Sequence, residues 1–170
     1  MTRTVYVNGR YLPEAEASLS IFDRAVLFAD AVYEVAAVID GALVDYAAHQ
    51  QRLERSLKEL GMHLPVDQDA LLEIHRDLLV KNELTEGLIY LQVSRGSADR
   101  NFLMPTAATP SLVLFTQAMP LLETAAAMNG LRVISRPDMR WGRRDIKTTQ
   151  LLFASMMKTE AVAAGGDDVW

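Results

Sequence analysis

One lysine stands out among the residues of this sequence that could do covalent chemistry. The 170-residue chain has no cysteine, and its lysines are Lys58, Lys81, Lys147 and Lys158. Three of them lie among polar residues in segments patterned as helices, where a solvated ammonium is ordinary. Lys147 follows Ile146, precedes Thr148 and Thr149, and stands at the mouth of the apolar run from Leu151 to Met157. It closes a stretch from Ser135 that also holds Arg136, Arg140, Arg143 and Arg144. A lysine that forms a Schiff base needs a long amine stem, a lowered pKa and a site that excludes water. Nearby guanidinium groups and partial desolvation both favour the neutral amine. Taken alone, a lysine here is ordinarily a surface residue ahead of a helix.

Other side chains offer anion recognition rather than metal binding. His49, His63 and His75 do not pair with other ligand types at metal spacing, so no zinc site is expected, and His75 reads as a core or boundary residue. No glycine-rich nucleotide loop and no Gly-x-Ser-x-Gly elbow is present. His49 and Arg52 lie in the first turns of a helix pattern, where arginine is not the charge the helix dipole favours. An arginine there is tolerable if it binds an anion brought from outside. Arg95 follows a predicted strand, and Arg100 lies in the polar loop that begins at Gly96; either can fork onto a carboxylate or stay solvated. Tyr33 and Glu34 alternate within a strand pattern. Tyr33 points with Val35 and Glu34 with Val32, and a tyrosine at a cleft can donate its hydroxyl to a carboxylate or phosphate.

The elements that must position these residues follow from local patterns. Asn8-Gly9 joins Thr4–Val7 to a short return strand, and Asp40-Gly41 joins a strand over Ala31–Ile39 to Ala42–Tyr46. Residues 13–18 read as a polar connection. Ala47–Leu60 is patterned as a helix, with Leu53, Leu57 and Leu60 on one face and Gly61 as its stop. Asp67 can cap a second helix reaching about Asn82, with His75 on its apolar side. Leu88–Arg95 and Ser111–Gln117 read as strands flanking a long polar loop. Leu131–Ser135 reads as a strand, Thr149–Ala164 as a helix, and Asp167–Trp170 as the start of another strand. The fold class is therefore α+β. A small N-terminal domain of antiparallel strands and helices covers residues 1–118, and residues 119–129 connect it to the start of a larger domain at 130–170.

Composition narrows the function classes. A chain of this length can bury about 70% of the surface it exposes when unfolded, so a core is available. Half of the residues are hydrophobic and the net charge is −5, which argues against disorder and against general nucleic-acid affinity. The lack of cysteine fits a reducing compartment. With no apolar leader after Met1 and no long apolar run, the expected setting is the cytoplasm.

In this order and at these distances, the motifs resemble a known family. Val32-Tyr33-Glu34-Val35 follows Phe28-Ala29-Asp30. His49-x-x-Arg52-Leu53, Arg95-Gly96 and Arg144-Asp145-Ile146-Lys147-Thr148 come after it. The chain resembles the class IV pyridoxal-phosphate aminotransferases, and most of all their D-amino-acid transaminase branch. The resemblance implies a two-domain enzyme of the fold-type-IV class, with a larger β-barrel-like domain only begun here, and a homodimer. It implies pyridoxal 5′-phosphate as cofactor, held as a Schiff base by Lys147 with its phosphate on Arg52. His49 belongs to the same cofactor motif. Tyr33 and Arg100 hold the substrate carboxylate, and the basic stretch gathers around cofactor and substrate, with Arg143 and Arg144 open between site and surface. The implied reaction is transamination between a D-amino acid such as D-alanine and a 2-oxo acid. Two relatives share the scaffold, branched-chain aminotransferases and aminodeoxychorismate lyases. An inactive folding or dimerisation unit is a further alternative. Two departures stand out: Ala29-Asp30-Ala31 replaces the family's Gly-Asp-Gly, and Phe102 replaces a histidine that often supplies a further carboxylate donor. The residues that complete the family's cofactor socket are expected beyond Trp170.

Overall fold

The computed structural model describes residues 2–170. Two hairpins start and frame the main sheet. Asn8 and Gly9 turn at φ of 47° and 88°, joining β1 (Thr4–Val7) to β2 (Arg10–Pro13). After a single 3-10 turn at Glu14–Glu16 comes α1 (Arg24–Phe28), whose first turn is capped by the Asp23 carboxylate accepting from the Ala25 N–H. Asp40 and Gly41 then turn at 50° and 72°, joining β3 (Ala31–Ile39) to β4 (Ala42–Leu43). Both pairs adopt the left-handed conformation that a two-residue hairpin demands.

Two helices follow, α2 (Tyr46–Glu59) and α3 (Gln68–Lys81). Asp67 caps α3 by accepting from the Ala70 N–H at 2.7 Å. The strands β5 (Gly87–Ser94) and β6 (Ser111–Ala118) complete a six-stranded sheet in the order β2-β1-β6-β5-β3-β4, antiparallel throughout. Alternation sorts its residues. Val32, Ala36 and Val38 of β3, Ile89, Leu91 and Val93 of β5, and Leu112 and Leu114 of β6 are buried. They pack with Leu53 and Leu57 of α2 and with Leu71, Ile74 and Leu78 of α3, which are buried too. On the opposite face Tyr33, Tyr90 and Phe115 form a stacked ladder, with ring centroids 5.6 and 4.8 Å apart.

The chain divides into two compact units, Met1–Met119 with Ile146–Thr149 and Pro120–Asp145 with Gln150–Trp170. Residues 146–149, grouped by sequence with 130–170, therefore lie in the first unit. The second unit holds α4 (Ala125–Asn129), β7 (Val133–Ile134), α5 (Leu152–Ala163) and β8 (Asp168–Val169). β7 and β8 pair in parallel, with α5 between them in sequence, the crossover that parallel pairing requires. The strand expected over Leu131–Ser135 shortens to two residues. The helix expected from Thr149 starts at Leu152, after Thr148 and Thr149 have been held against the edge of β3 by the Val32–Thr148 bridge and the Thr149 N–H bond to the Ala31 carbonyl at 3.1 Å. None of the described helices is long and apolar enough to cross a membrane.

Candidate active site

The site is built on β3, whose alternating side chains serve its two faces and whose edge receives a lysine. β4 pairs only with Val38 and Ile39, so the first residues of β3 keep a free edge on that side. Residues 146–149 occupy it. Val32 and Thr148 form an antiparallel bridge, and the Tyr33 N–H donates to the Lys147 carbonyl at 3.0 Å. Thr149 adds its N–H to Ala31 and its hydroxyl to the Ala29 carbonyl at 3.3 Å. Ile146 and Thr148 are buried on either side, and the Lys147 N–H points at the buried Ser56 hydroxyl of α2, 3.4 Å away. The lysine backbone is thus fixed from both sides while its side chain stays half-buried. Its Nζ lies 4.0 Å from the centroid of the Tyr33 ring, a cation–π contact of about 0.5–2 kcal/mol.

On the other face of β3, Glu34 is only 5% exposed yet carries a charge. Its Oε1 accepts from Arg52 Nε at 2.7 Å, and its Oε2 accepts from Arg52 Nη2 at 2.7 Å. His49 Nδ1 lies 2.8 Å from the same Oε2. His49 and Arg52 are three residues apart on α2 and so share a helix face. The hydrogen bonds to Glu34 raise the pKa of Arg52 above its ordinary value against partial burial, and the Glu34 charge and the Tyr33 phenol add to the effect. The guanidinium is therefore a permanent cation, 44% exposed and tethered along one side.

Tyr33 heads the aromatic ladder. Burial, with Tyr33 beside it, pushes the Tyr90 phenol up to about 12, so it stays neutral and donates to Gln92 Oε1 at 2.9 Å. Arg100 is exposed, its Cζ 5.7 Å from the Phe28 ring centroid and 5.3 Å from that of Phe102. Among the described residues no hydrogen bond or ring contact joins Arg100 to Tyr33 or Lys147. The structure thus places Tyr33 and the Lys147 amine together at one face of β3 and His49 and Arg52 with Glu34 at the other, and it leaves Arg100 on its loop. Glu34, named in the sequence only as the strand neighbour of Tyr33, is the partner of His49 and Arg52, and Ser56, which no sequence pattern marked, meets the Lys147 N–H.

Arg95 resolves differently from a solvated loop arginine. It is buried and forks onto Asp30, Nε to Oδ2 at 2.7 Å and Nη2 to Oδ1 at 3.0 Å. Arg24 bonds the same Oδ2 at 2.6 Å, and its Nη1 reaches the Asn101 carbonyl at 2.8 Å. Arg95 Nη2 also reaches the Leu60 carbonyl after α2. One carboxylate thereby ties together the entry to β3, the end of α2 and the loop that carries Arg100.

The basic stretch is less available than its charge suggests. Within the second unit Arg136 pairs with Glu160, Arg140 and Arg144 share Asp138, and Arg143 pairs with Asp145. The bonds from Arg140 and Arg144 hold the Asp138 carboxyl well below the usual carboxylate range. Each of these arginines is paired with an acid of its own unit, in ion pairs that remain partly exposed.

His75 is a core residue. It is 5% exposed, and its Nδ1 lies 2.8 Å from the Leu71 carbonyl, an acceptor that requires the proton on that nitrogen. Burial outweighs that bond and pushes His75 down to about 4. An unfolded histidine takes up its proton near pH 6.5. Between that value and about 4 the unfolded chain binds more protons than the folded one, so stability falls as pH falls through this window. The expected loss reaches about 3 kcal/mol at the lower end. Urea unfolding at neutral pH and at the acid end of the window measures it. His75→Leu should flatten this part of the dependence; an unchanged slope in that variant contradicts the assignment.

The family model for amino-transferase class IV matches residues 31–170. A D-alanine aminotransferase from Staphylococcus aureus is 35% identical over 161 residues, covering 93% of this chain and 56% of that protein. The chain thus spans about 56% of the length of that curated relative. Among solved structures, the Escherichia coli branched-chain amino acid aminotransferase superposes with a TM-score of 0.87 at 20% identity, covering 99% of this chain and 59% of that one. The PLP-bound form of a hypothetical aminotransferase from Mycobacterium tuberculosis gives 0.79 at 20% identity, covering 98% and 60%. At such identities these likenesses speak to the fold. The match over most of the chain, on a sheet that brings Lys147 to β3, shows that this protein belongs to the class IV aminotransferase family.

Proposed function

We propose that this chain carries the reacting lysine and part of the cofactor and substrate contacts of a pyridoxal-phosphate aminotransferase that works between a D-amino acid, such as D-alanine, and a 2-oxo acid. The observation that carries the reading is Lys147. Its backbone is paired to β3, and its amine lies over Tyr33, at the strand that also presents Glu34 to Arg52. The D-alanine aminotransferase at 35% identity supports the substrate class, and the PLP-bound structural neighbour supports the cofactor.

The residues present fit that cofactor. A primary amine suits its aldehyde carbon. The guanidinium of Arg52 suits its phosphate: Nε and Nη2 are held by Glu34, and Nη1 has no hydrogen-bond partner among the described residues. When bound, pyridoxal phosphate supplies an electron sink for the charge left on the substrate carbon. Lys147 Nζ takes the proton from the substrate Cα and holds it for return, acting as general base and then as general acid. The Tyr33 hydroxyl has no hydrogen-bond partner among the described residues, and it donates to the substrate carboxylate. Arg100 offers a second cationic contact from its loop. His49 steadies the Arg52 side of the site. Exposed Phe22, Val26, Phe102 and Leu103 lie on segments joined by the Asp23–Ser97 bridge and support assembly as a homodimer. The lack of cysteine suits a reducing compartment such as the cytoplasm.

Phe102 favours a second reading. A phenyl ring cannot donate to a carboxylate, so the contact expected at that position is missing from this loop, and branched-chain aminotransferase activity is the runner-up. The experiment offers D-alanine and L-leucine separately to the cofactor-loaded chain and follows the loss of the cofactor's visible absorption. Faster loss with D-alanine supports the first reading. Faster loss with L-leucine supports the second, and no loss with either contradicts both.

A further inference from the structure

Glu34 is an ionised side chain on an otherwise apolar strand face, between Val32 and Ala36. Burying a carboxylate there costs several kcal/mol unless bonds replace its water. Three contacts do so, and all of them come from Arg52 and His49 on a single helix. The arrangement is lopsided. Glu34's side chain is 6% exposed while that of Arg52 is 44% exposed, so the carboxylate is the fixed partner and the guanidinium the one facing out.

Two consequences follow from the bond pattern. With Nε and Nη2 both tied to Glu34, the guanidinium plane cannot turn, and Nη1 is presented at a set angle. An untethered arginine would sample many rotamers and lose that freedom again on binding an anion. The 2.8 Å approach of His49 Nδ1 to a carboxylate oxygen also requires a proton on Nδ1, since two lone pairs would otherwise face each other. Arg52 Nη2, 3.3 Å from the same nitrogen, is then a neighbouring donor and not its partner.

We propose that Glu34 is a positioning residue for the anion site: its buried carboxylate locks the guanidinium of Arg52 in place for a phosphomonoester and fixes His49 with its proton on Nδ1. The proposal rests on the reading that Arg52 takes the cofactor phosphate. Glu34 acts through Arg52 and touches neither the cofactor nor the substrate.

The test compares pyridoxal phosphate with pyridoxal, which lacks the phosphate, in absorbance titrations of the wild-type, Glu34→Gln, Arg52→Ala and doubly substituted chains. A glutamine amide keeps one acceptor oxygen where Nε and Nη2 now bond two, and it carries no charge. Glu34→Gln should therefore weaken pyridoxal phosphate by about tenfold and pyridoxal by less than about twofold. In the Arg52→Ala background it should add nothing. Equal weakening of both aldehydes, or a full further loss in the Arg52→Ala background, overturns the proposal. A second readout uses the wild-type chain without cofactor. Nitrogen-15 spectra should show a protected, slowly exchanging Arg52 Nε–H and a protonated His49 Nδ1; a freely rotating guanidinium or a bare Nδ1 overturns the proposal even if Glu34→Gln fails to fold. If the wild-type chain binds neither aldehyde, the functional reading of the site fails, and these resonances alone decide the role of Glu34.

Discussion

Lys147→Ala is expected to leave a folded chain that takes up no pyridoxal phosphate covalently and loses at least about 10³-fold in turnover. The expectation comes from position. Lys147 is the lysine whose main chain is laid along β3, with its carbonyl bonded to Tyr33 and its N–H aimed at Ser56. Those contacts are made by the backbone, so alanine preserves them and removes only the amine. Thermal unfolding should move little, because the lost cation–π contact is small beside the buried Ile146 and Thr148 on either side. A variant that keeps its turnover, or one that unfolds, contradicts this division between a structural main chain and a reactive side chain.

Asp30→Ala should be the most destabilising change in the first unit outside its apolar core, by about 3–5 kcal/mol. Arg24 and Arg95 are 3% and 7% exposed, and Asp30 is the carboxylate both of them bond. Removing it leaves two buried guanidinium groups with only carbonyl acceptors and no acid partner, a loss comparable with a large part of the 5–15 kcal/mol that typically holds a domain together. Burial pushes the Asp30 carboxyl up, and the bonds from Arg95 and Arg24 outweigh it, so its folded pKa lies below the ordinary value. The stability it contributes is present above the unfolded carboxylate value of about 3.9 and is lost as pH falls through the lower folded value. Urea unfolding measures the variant; a loss under about 1 kcal/mol contradicts the account. Because Arg24 also holds the Asn101 carbonyl, the variant should loosen the loop around Arg100, seen as faster amide exchange there.

Much of the frame is legible in residue order. Asn8-Gly9 and Asp40-Gly41 mark their hairpins because few residue pairs accept two positive φ values. Asp67 marks the start of α3, and the spacing of Leu53 and Leu57 marks the buried side of α2. The three-residue step between His49 and Arg52 already places them on one face. What local pattern cannot supply is the partner. Glu34 and Arg52 are 18 positions apart, and only the packing of α2 against β3 makes them a pair. Asp30 and Arg95 are 65 apart, so a buried fork and a solvated loop arginine read alike. A signal existed for Glu34: a charged residue in register with Val32, Ala36 and Val38 must meet a partner or be expelled.

The C-terminal part shows the limits of propensity. Thr149 to Leu151 suits a helix by composition, yet Thr149 is taken by the edge of β3 and α5 starts three residues later. The arginines near Lys147 suggested a ligand, and the acids interleaved with them, Asp138 and Asp145, turned out to be their partners. Lys147 keeps its place in the account because of where its backbone lies, not because of that charge.

The most direct measurement of the central claim is to mix the chain with pyridoxal phosphate, reduce with borohydride, and map the modified peptide by mass spectrometry. One adduct per chain is expected, on Lys147, with Lys58, Lys81 and Lys158 unmodified. No adduct, or an adduct spread over the four lysines, contradicts it.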